Sequence, residues 1–283
     1  VASAFLAFLV FLTAPALADD FSDLSVGYRI GDQYREPGVT QPSASGAPVA
    51  AHIVKNVANV TYVDSTEHGT DFVLLDLYFS DSADPARDSH SGAFEPYFIY
   101  RHAFRISAWT GQAYGFGPVA DTTFLVGTDL NYKDSAYNPR KRFFVAGPEF
   151  EFAVAKGFLK TAILVTREYD HNGILERTED FDATWGIETS WARPFFLGTW
   201  EGAFEGYLDI YGPKGRDDFG NATHTEILFH PRVIFDLGAR VGRPGVLWGG
   251  IGYEYWHDKF GVNHGQTPGA IQSTGLLELV AHI

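Results

Sequence analysis

Leu24-Ser25-Val26-Gly27-Tyr28-Arg29-Ile30-Gly31 puts an apolar side chain at every second position, with small or polar residues between. A period of two is the mark of a pleated strand, which sends alternate side chains to opposite faces. The same split recurs in Phe181, Ala183, Trp185, Ile187 and Trp191 against Asp182, Thr184, Gly186, Glu188 and Ser190. It recurs again in Ile227, Phe229, Val233 and Phe235 against Glu226, His230, Arg232 and Asp236. Working outward from these, less regular strands read over 54–63, 72–80, 94–106, 119–132, 143–154, 158–167, 199–211, 246–257 and 274–283. The total is twelve. An even number puts both ends of the chain on one side of a closed antiparallel sheet.

Alternation by itself also fits a soluble sandwich, whose strands have one apolar face each. The connections separate the two. After odd-numbered strands come long polar segments: 35–51 (REPGVTQPSASGAPVAA), 81–92, 133–141, 168–180, 212–222 and 258–272. After even-numbered strands they are mostly shorter, as at 155–157 and 193–196, although 236–245 is longer. Long loops on one side and short turns on the other is the asymmetry of outer-membrane barrels. The last stretch alternates Leu277, Leu279, Ala281 and Ile283 against Glu278, Val280 and His282 and stops on an apolar residue, as such barrels do, although Ile283 replaces the usual aromatic. Tyr34, Trp109, Tyr132, Trp191, Tyr211 and Tyr255 fall near strand ends, where interfacial aromatic girdles are expected. The expected fold is therefore all-β: a twelve-stranded antiparallel transmembrane β-barrel of outer-membrane type.

Ahead of it, 1–12 (VASAFLAFLVFL) is an uncharged apolar run, followed by Pro15 and by Ala16-Leu17-Ala18 before Asp19. It is shorter than the roughly twenty residues of a spanning helix and ends in a small-x-small pattern, so 1–18 reads as a signal peptide cut after Ala18. The sequence starts at Val1 and contains no Met, so an initiator and a basic n-region are expected upstream. The barrel is expected to be a single domain over 19–283.

Composition excludes several classes. A net charge of -14 argues against nucleic-acid partners, which need a basic surface. With no Cys there are neither disulfides nor thiolate metal ligands. No second apolar run approaches spanning length, which leaves a closed barrel as the way through a bilayer. No cofactor is expected.

If the apolar face meets lipid, the other lines a lumen and carries Arg29, Asp76, Arg101, Glu149, Glu151, Glu188, Glu205, Asp209, Arg232, Glu254 and Glu278. Such groups are costly against lipid and natural in a hydrated pore. Carboxylates outnumber the three arginines, which predicts cross-strand pairs with negative charge left over. The opposing reading is that the charges satisfy one another and fill the lumen. Tyr78, Tyr97, Phe143, Tyr207 and Trp256 lie on the same face and offer ring surfaces on which a base can stack. Enzymatic readings are weak. A barrel phospholipase needs Ser beside His on the lipid-facing wall, whereas Ser89-His90 falls in a loop and His102 has no assignable Ser neighbour. The histidines show no ligand spacing beyond His257 and His264, so no metal site is expected.

Tyr255-Trp256-His257-Asp258 ending the penultimate strand and Phe116-Gly117-Pro118 opening the fifth resemble the Tsx-like nucleoside-specific channel-forming outer-membrane proteins. The similarity runs from 24–34 to the end in strand count and spacing, and departs from the family pattern in the long loops and most lumen positions. The resemblance implies a monomeric outer-membrane channel with a narrow lumen that passes nucleosides or similar small polar solutes by diffusion, without energy coupling. The alternative is a non-conducting or general barrel whose long loops form an adhesion or receptor surface.

Overall fold

The computed structural model describes residues 20–283; the stretch 1–18 read as a signal peptide lies outside the described residues. Twelve strands form one ring: β1 Phe21–Tyr34, β2 Ile53–Thr66, β3 Gly69–Ser80, β4 Phe94–Arg105, β5 Val119–Asn131, β6 Arg142–Phe152, β7 Phe158–Asn172, β8 Thr184–Leu197, β9 Trp200–Tyr211, β10 Glu226–Asp236, β11 Leu247–His257 and β12 Ile271–His282. Each pairs antiparallel with the next, and β1 closes on β12 with Arg29 opposite Glu278. The closed ring leaves no sheet edge, so every strand satisfies its backbone polar groups within the wall, the condition a bilayer imposes. Outside the ring, Arg177–Asp180 extends β7, and Thr40–Pro42 pairs with Pro48–Ala50 within the first long loop.

The wall is apolar outside and polar inside. Leu24, Val26 and Tyr28 on β1, Phe144 on β6, Ile163 and Val165 on β7, Ile251 on β11, and Leu277 and Leu279 on β12 are all exposed. On β12 the alternation is complete from Ile271 to Val280, exposed and buried in turn. An apolar wall of this extent needs a nonaqueous surrounding and identifies an outer-membrane-type barrel.

Most strand boundaries shift by a few residues from the sequence reading, and the largest departures surround β8. Asp182 and Phe181 are drawn into a loop, where the Asp182 N–H donates to the Lys214 carbonyl and the Lys214 ammonium sits 4.3 Å over the Phe181 ring. β8 accordingly starts at Thr184 and continues to Leu197, so the expected turn at 193–196 is strand and the chain reverses at Gly198 in a left-handed conformation (φ 61°). Two connections on the side of the termini are long. One contains the helix Ile106–Thr110 and the other a 3₁₀ turn at Gly238–Val241.

Three girdle assignments are also corrected. The register of β1 shifts between Gly31 and Tyr34, which turns Tyr34 inward. There it is 1% exposed and packs with Ala51, Ile53 and Leu276. Tyr211 opposes Gly186 on the inner face and packs against the cluster of Leu125, Phe143, Val145, Ala162 and Leu164. Trp191 stays outside but at mid-wall, between the rings of Phe204 and Phe229 and over Gly206, where a Cβ would lie 2.6 Å from its ring. Trp109 and Tyr132 are exposed near strand ends.

Candidate functional site: an ion-paired lumen

Strand register carries every charge singled out in the sequence onto the inner face. Glu188 lies beside Asp209, Glu205 beside Arg232, Glu254 beside Thr274, and Glu149 beside Thr123. Pairs between non-neighbouring strands show that these side chains reach across the interior. On β1, Arg29 binds Asp76 of β3 at 2.6 Å and Tyr78 Oη at 2.8 Å. Arg101 of β4 grips Glu188 of β8 through two bonds of 2.8 and 3.0 Å and Asp129 of β5 at 2.6 Å. Tyr97 and Tyr211 donate to Asp129 and Glu188 at 2.9 and 2.7 Å.

A second group stands on β9 to β12. His230 bridges Glu254 at 3.2 Å and Glu278 at 3.0 Å, while Arg232 binds Glu278 at 3.1 Å and Glu205 at 2.8 Å. Gly252 makes this possible, because a side chain there would overlap the Glu278 carboxylate. Toward the end that holds the termini, Lys160 meets Glu151 at 2.8 Å and Glu149 at 3.9 Å, and Thr123 donates to Glu149 at 3.0 Å.

The expected surplus of negative charge is largely neutralised. Lys160 and Lys55 are on the inner face, and Lys133, Lys141, Lys214 and Lys259 enter the mouth from the long loops. The first loop brings Glu36 into this mouth, where it meets Lys55 at 2.5 Å, Lys259 at 3.3 Å and Lys133 at 3.4 Å. Burial pushes the Glu36 carboxyl up, but Lys133, Lys259 and Lys55 outweigh it and hold it well below the usual range. Lys259 is lowered from its ordinary value, chiefly by burial. Below this roof, Phe143, Thr166, Glu168, Tyr211, Lys214 and Glu226 border about 10 Å³ of free space, room for about one water.

Asp209 differs from the rest. It is inward on β9, between Tyr207 and Tyr211 on the same face, and makes no ion pair or side-chain hydrogen bond among the described residues. The predicted ring faces are partly engaged: Tyr207 stacks on His230 (5.1 Å, 17°), Arg29 lies 5.5 Å over Tyr78, and Lys141 4.6 Å over Phe143. Phe143 is buried in the apolar cluster, which removes it from the open lumen. Trp256 sits under the roof, donating to Glu226 at 2.7 Å beneath Lys259.

Sequence reasoning missed His230 as an ion-pair bridge, Asp129, Tyr211 and the lysines. His230, Asp129, Lys55 and Lys160 all occupy inward phases of legible strands. The roof lysines lie in loops, where no period marks direction.

Fold and interior together define an outer-membrane-type β-barrel with an ion-paired lumen. No protein-family model matches the chain, and no curated protein does. Among solved structures it is similar to the translocator domain of the autotransporter NalP from Neisseria meningitidis (12% identity over 94% of this chain and 89% of that one, TM-score 0.45). It is also similar to an outer membrane channel from Pseudomonas putida F1 (10% identity, 96% and 98% covered, TM-score 0.47) and to the NanC porin (12%, 91% and 99%, TM-score 0.45).

Proposed function

We propose that the protein is a substrate-selective diffusion channel of the outer membrane for nucleosides or similar small, uncharged polar solutes, acting as a monomer without cofactor or energy coupling. The observation that carries this reading is the unpartnered Asp209 carboxylate flanked by the tyrosines 207 and 211. A carboxyl oxygen accepts hydrogen bonds from sugar hydroxyls and ring N–H groups, and the face of Tyr207 turned away from His230 takes a flat base at about 1 to 3 kcal/mol per contact. Asp209 offers a phosphate no cation to pair with, so a neutral nucleoside is favoured over its phosphate. Weak, repeated contacts of this kind suit passage, because a channel must release what it binds.

The solute path runs past Arg101–Glu188 and Arg29–Asp76, so the described conformation is the closed one and passage requires these pairs to part. Liposome swelling tests the reading. Vesicles holding the barrel should swell faster in adenosine or uridine than in the corresponding monophosphates. Swelling equal to protein-free vesicles would refute it.

One observation favours a second reading, a non-conducting barrel with a receptor role for its loops. Arg29, Asp76, Glu254 and Glu278 are each under 10% exposed, the state of a filled interior. The same swelling assay separates the two.

A further inference from the structure

At the extracellular rim, the turn after β11 gathers His257, Asp258 and His264 so that one donor atom of each lies within 4.8 Å of the others. Asp258 Oδ1 accepts from the His264 backbone N–H at 2.8 Å and contacts His264 Nδ1 at 2.7 Å. A carboxylate only accepts, so neutral His264 carries its proton on Nδ1. On the other side, His257 Nδ1 stands 3.4 Å from Asp258 Oδ2, buried and without a hydrogen-bond partner. A buried imidazole nitrogen left unbonded, aimed at a carboxylate that a second imidazole already touches, is the donor set of a His₂Asp metal centre. The two rings are 4.3 Å apart and inclined at 55°, which leaves both nitrogens free to converge.

We propose that these three residues bind a divalent transition-metal ion of the zinc class. Imidazole and carboxylate together suit Zn²⁺ better than Mg²⁺, which prefers oxygen ligands alone. A tetrahedral ion with ligands at about 2.0–2.2 Å needs donor atoms roughly 3.3 Å apart. His264 side-chain rotation closes the difference, since that ring is 41% exposed and sits on a loop. On binding, the His264 Nδ1–H bond breaks, its proton passes through water to Nε2, and the freed Nδ1 lone pair takes the metal. Asp258 donates a lone pair it already holds, His257 binds through Nδ1 in its Nε2–H tautomer, any Nδ1 proton passing through water to Nε2 as in His264, and a water completes the fourth position. The ion would clamp the end of β11 to the loop whose Lys259 holds the roof over Glu36.

Calorimetric titration of the detergent-folded barrel with ZnCl₂ tests this. The expected result is one saturable Zn²⁺ site that MgCl₂ does not fill, with affinity reduced about tenfold or more in His257→Ala, His264→Ala and Asp258→Asn. His90→Ala, a loop histidine elsewhere, should leave it unchanged. Wild-type protein gives a second readout that needs no variant: Zn²⁺ should protect His264 from diethylpyrocarbonate. Absence of saturable binding, affinity unchanged in the variants, or no protection of His264 would each overturn the proposal.

Discussion

Arg101 and Glu188 meet across the barrel from β4 and β8, with three strands between them in the wall, through two hydrogen bonds of 3.0 and 2.8 Å. The same guanidinium holds Asp129 at 2.6 Å, so one residue ties three strands together through the interior. A pair of this kind contributes little net stability while intact, because desolvation offsets attraction. Losing one partner is different. Arg101→Ala strands two carboxylates inside the barrel and is expected to destabilise it by about 3–5 kcal/mol. Urea unfolding in lipid vesicles measures this, and a change under about 1 kcal/mol would place the pair in well-hydrated space.

Tyr34 provides a test of the inward turn of β1. As a girdle residue it would tolerate truncation, whereas packed against Ala51, Ile53 and Leu276 it should not. Tyr34→Ala is expected to cost about 3–5 kcal/mol, the range for a large buried aromatic. Thermal unfolding of the two proteins side by side gives the answer.

The extracellular extension at Arg177–Asp180 should depend on pH through Glu179. Burial raises its carboxyl to about 7, with Asp218 and Asp217 adding to the rise against the Asp218 N–H that donates to it. Because the folded value lies above the ordinary carboxyl value, the folded hairpin holds the proton more tightly than the unfolded one. Its stability is greatest below about 4.5 and falls as pH rises through about 7. Hydrogen exchange at 172–180, corrected for intrinsic rates, should be slower at low pH than at high pH, and Glu179→Gln should reduce the difference, the remainder coming from Asp170 opposite it.

Trp256 tests the register of β11 at the mouth. Its ring lies beneath Lys259 and donates to Glu226, and the proposed solute path passes it below the roof. Trp256→Ala should weaken block of conductance by nucleosides. Unchanged block would place the ring off the solute path.

The wall was legible because a strand of period two fixes the direction of every side chain once one face is known. Arg29 and Glu278, separated by almost the whole sequence, were both assignable to the interior before their pairing was visible. Tyr34 was not, since a register shift reverses the phase without any mark in composition. Phe181 was misplaced for a related reason: its alternation is continuous with β8, yet the loop holding Lys214 offers its ring a better partner than the wall. The roof was the least legible part. Glu36 and its lysines come from three loops and the end of one strand, and only tertiary structure brings them together.

Single-channel recording in planar bilayers bears most directly on the central claim of a nucleoside-selective path past Asp209. The wild-type barrel should show small conductance steps that micromolar to millimolar nucleoside blocks, with block weakened about tenfold in Asp209→Asn, an exchange worth about 1.4 kcal/mol. A barrel that inserts and never conducts, or a conductance indifferent to nucleosides in both proteins, would contradict it.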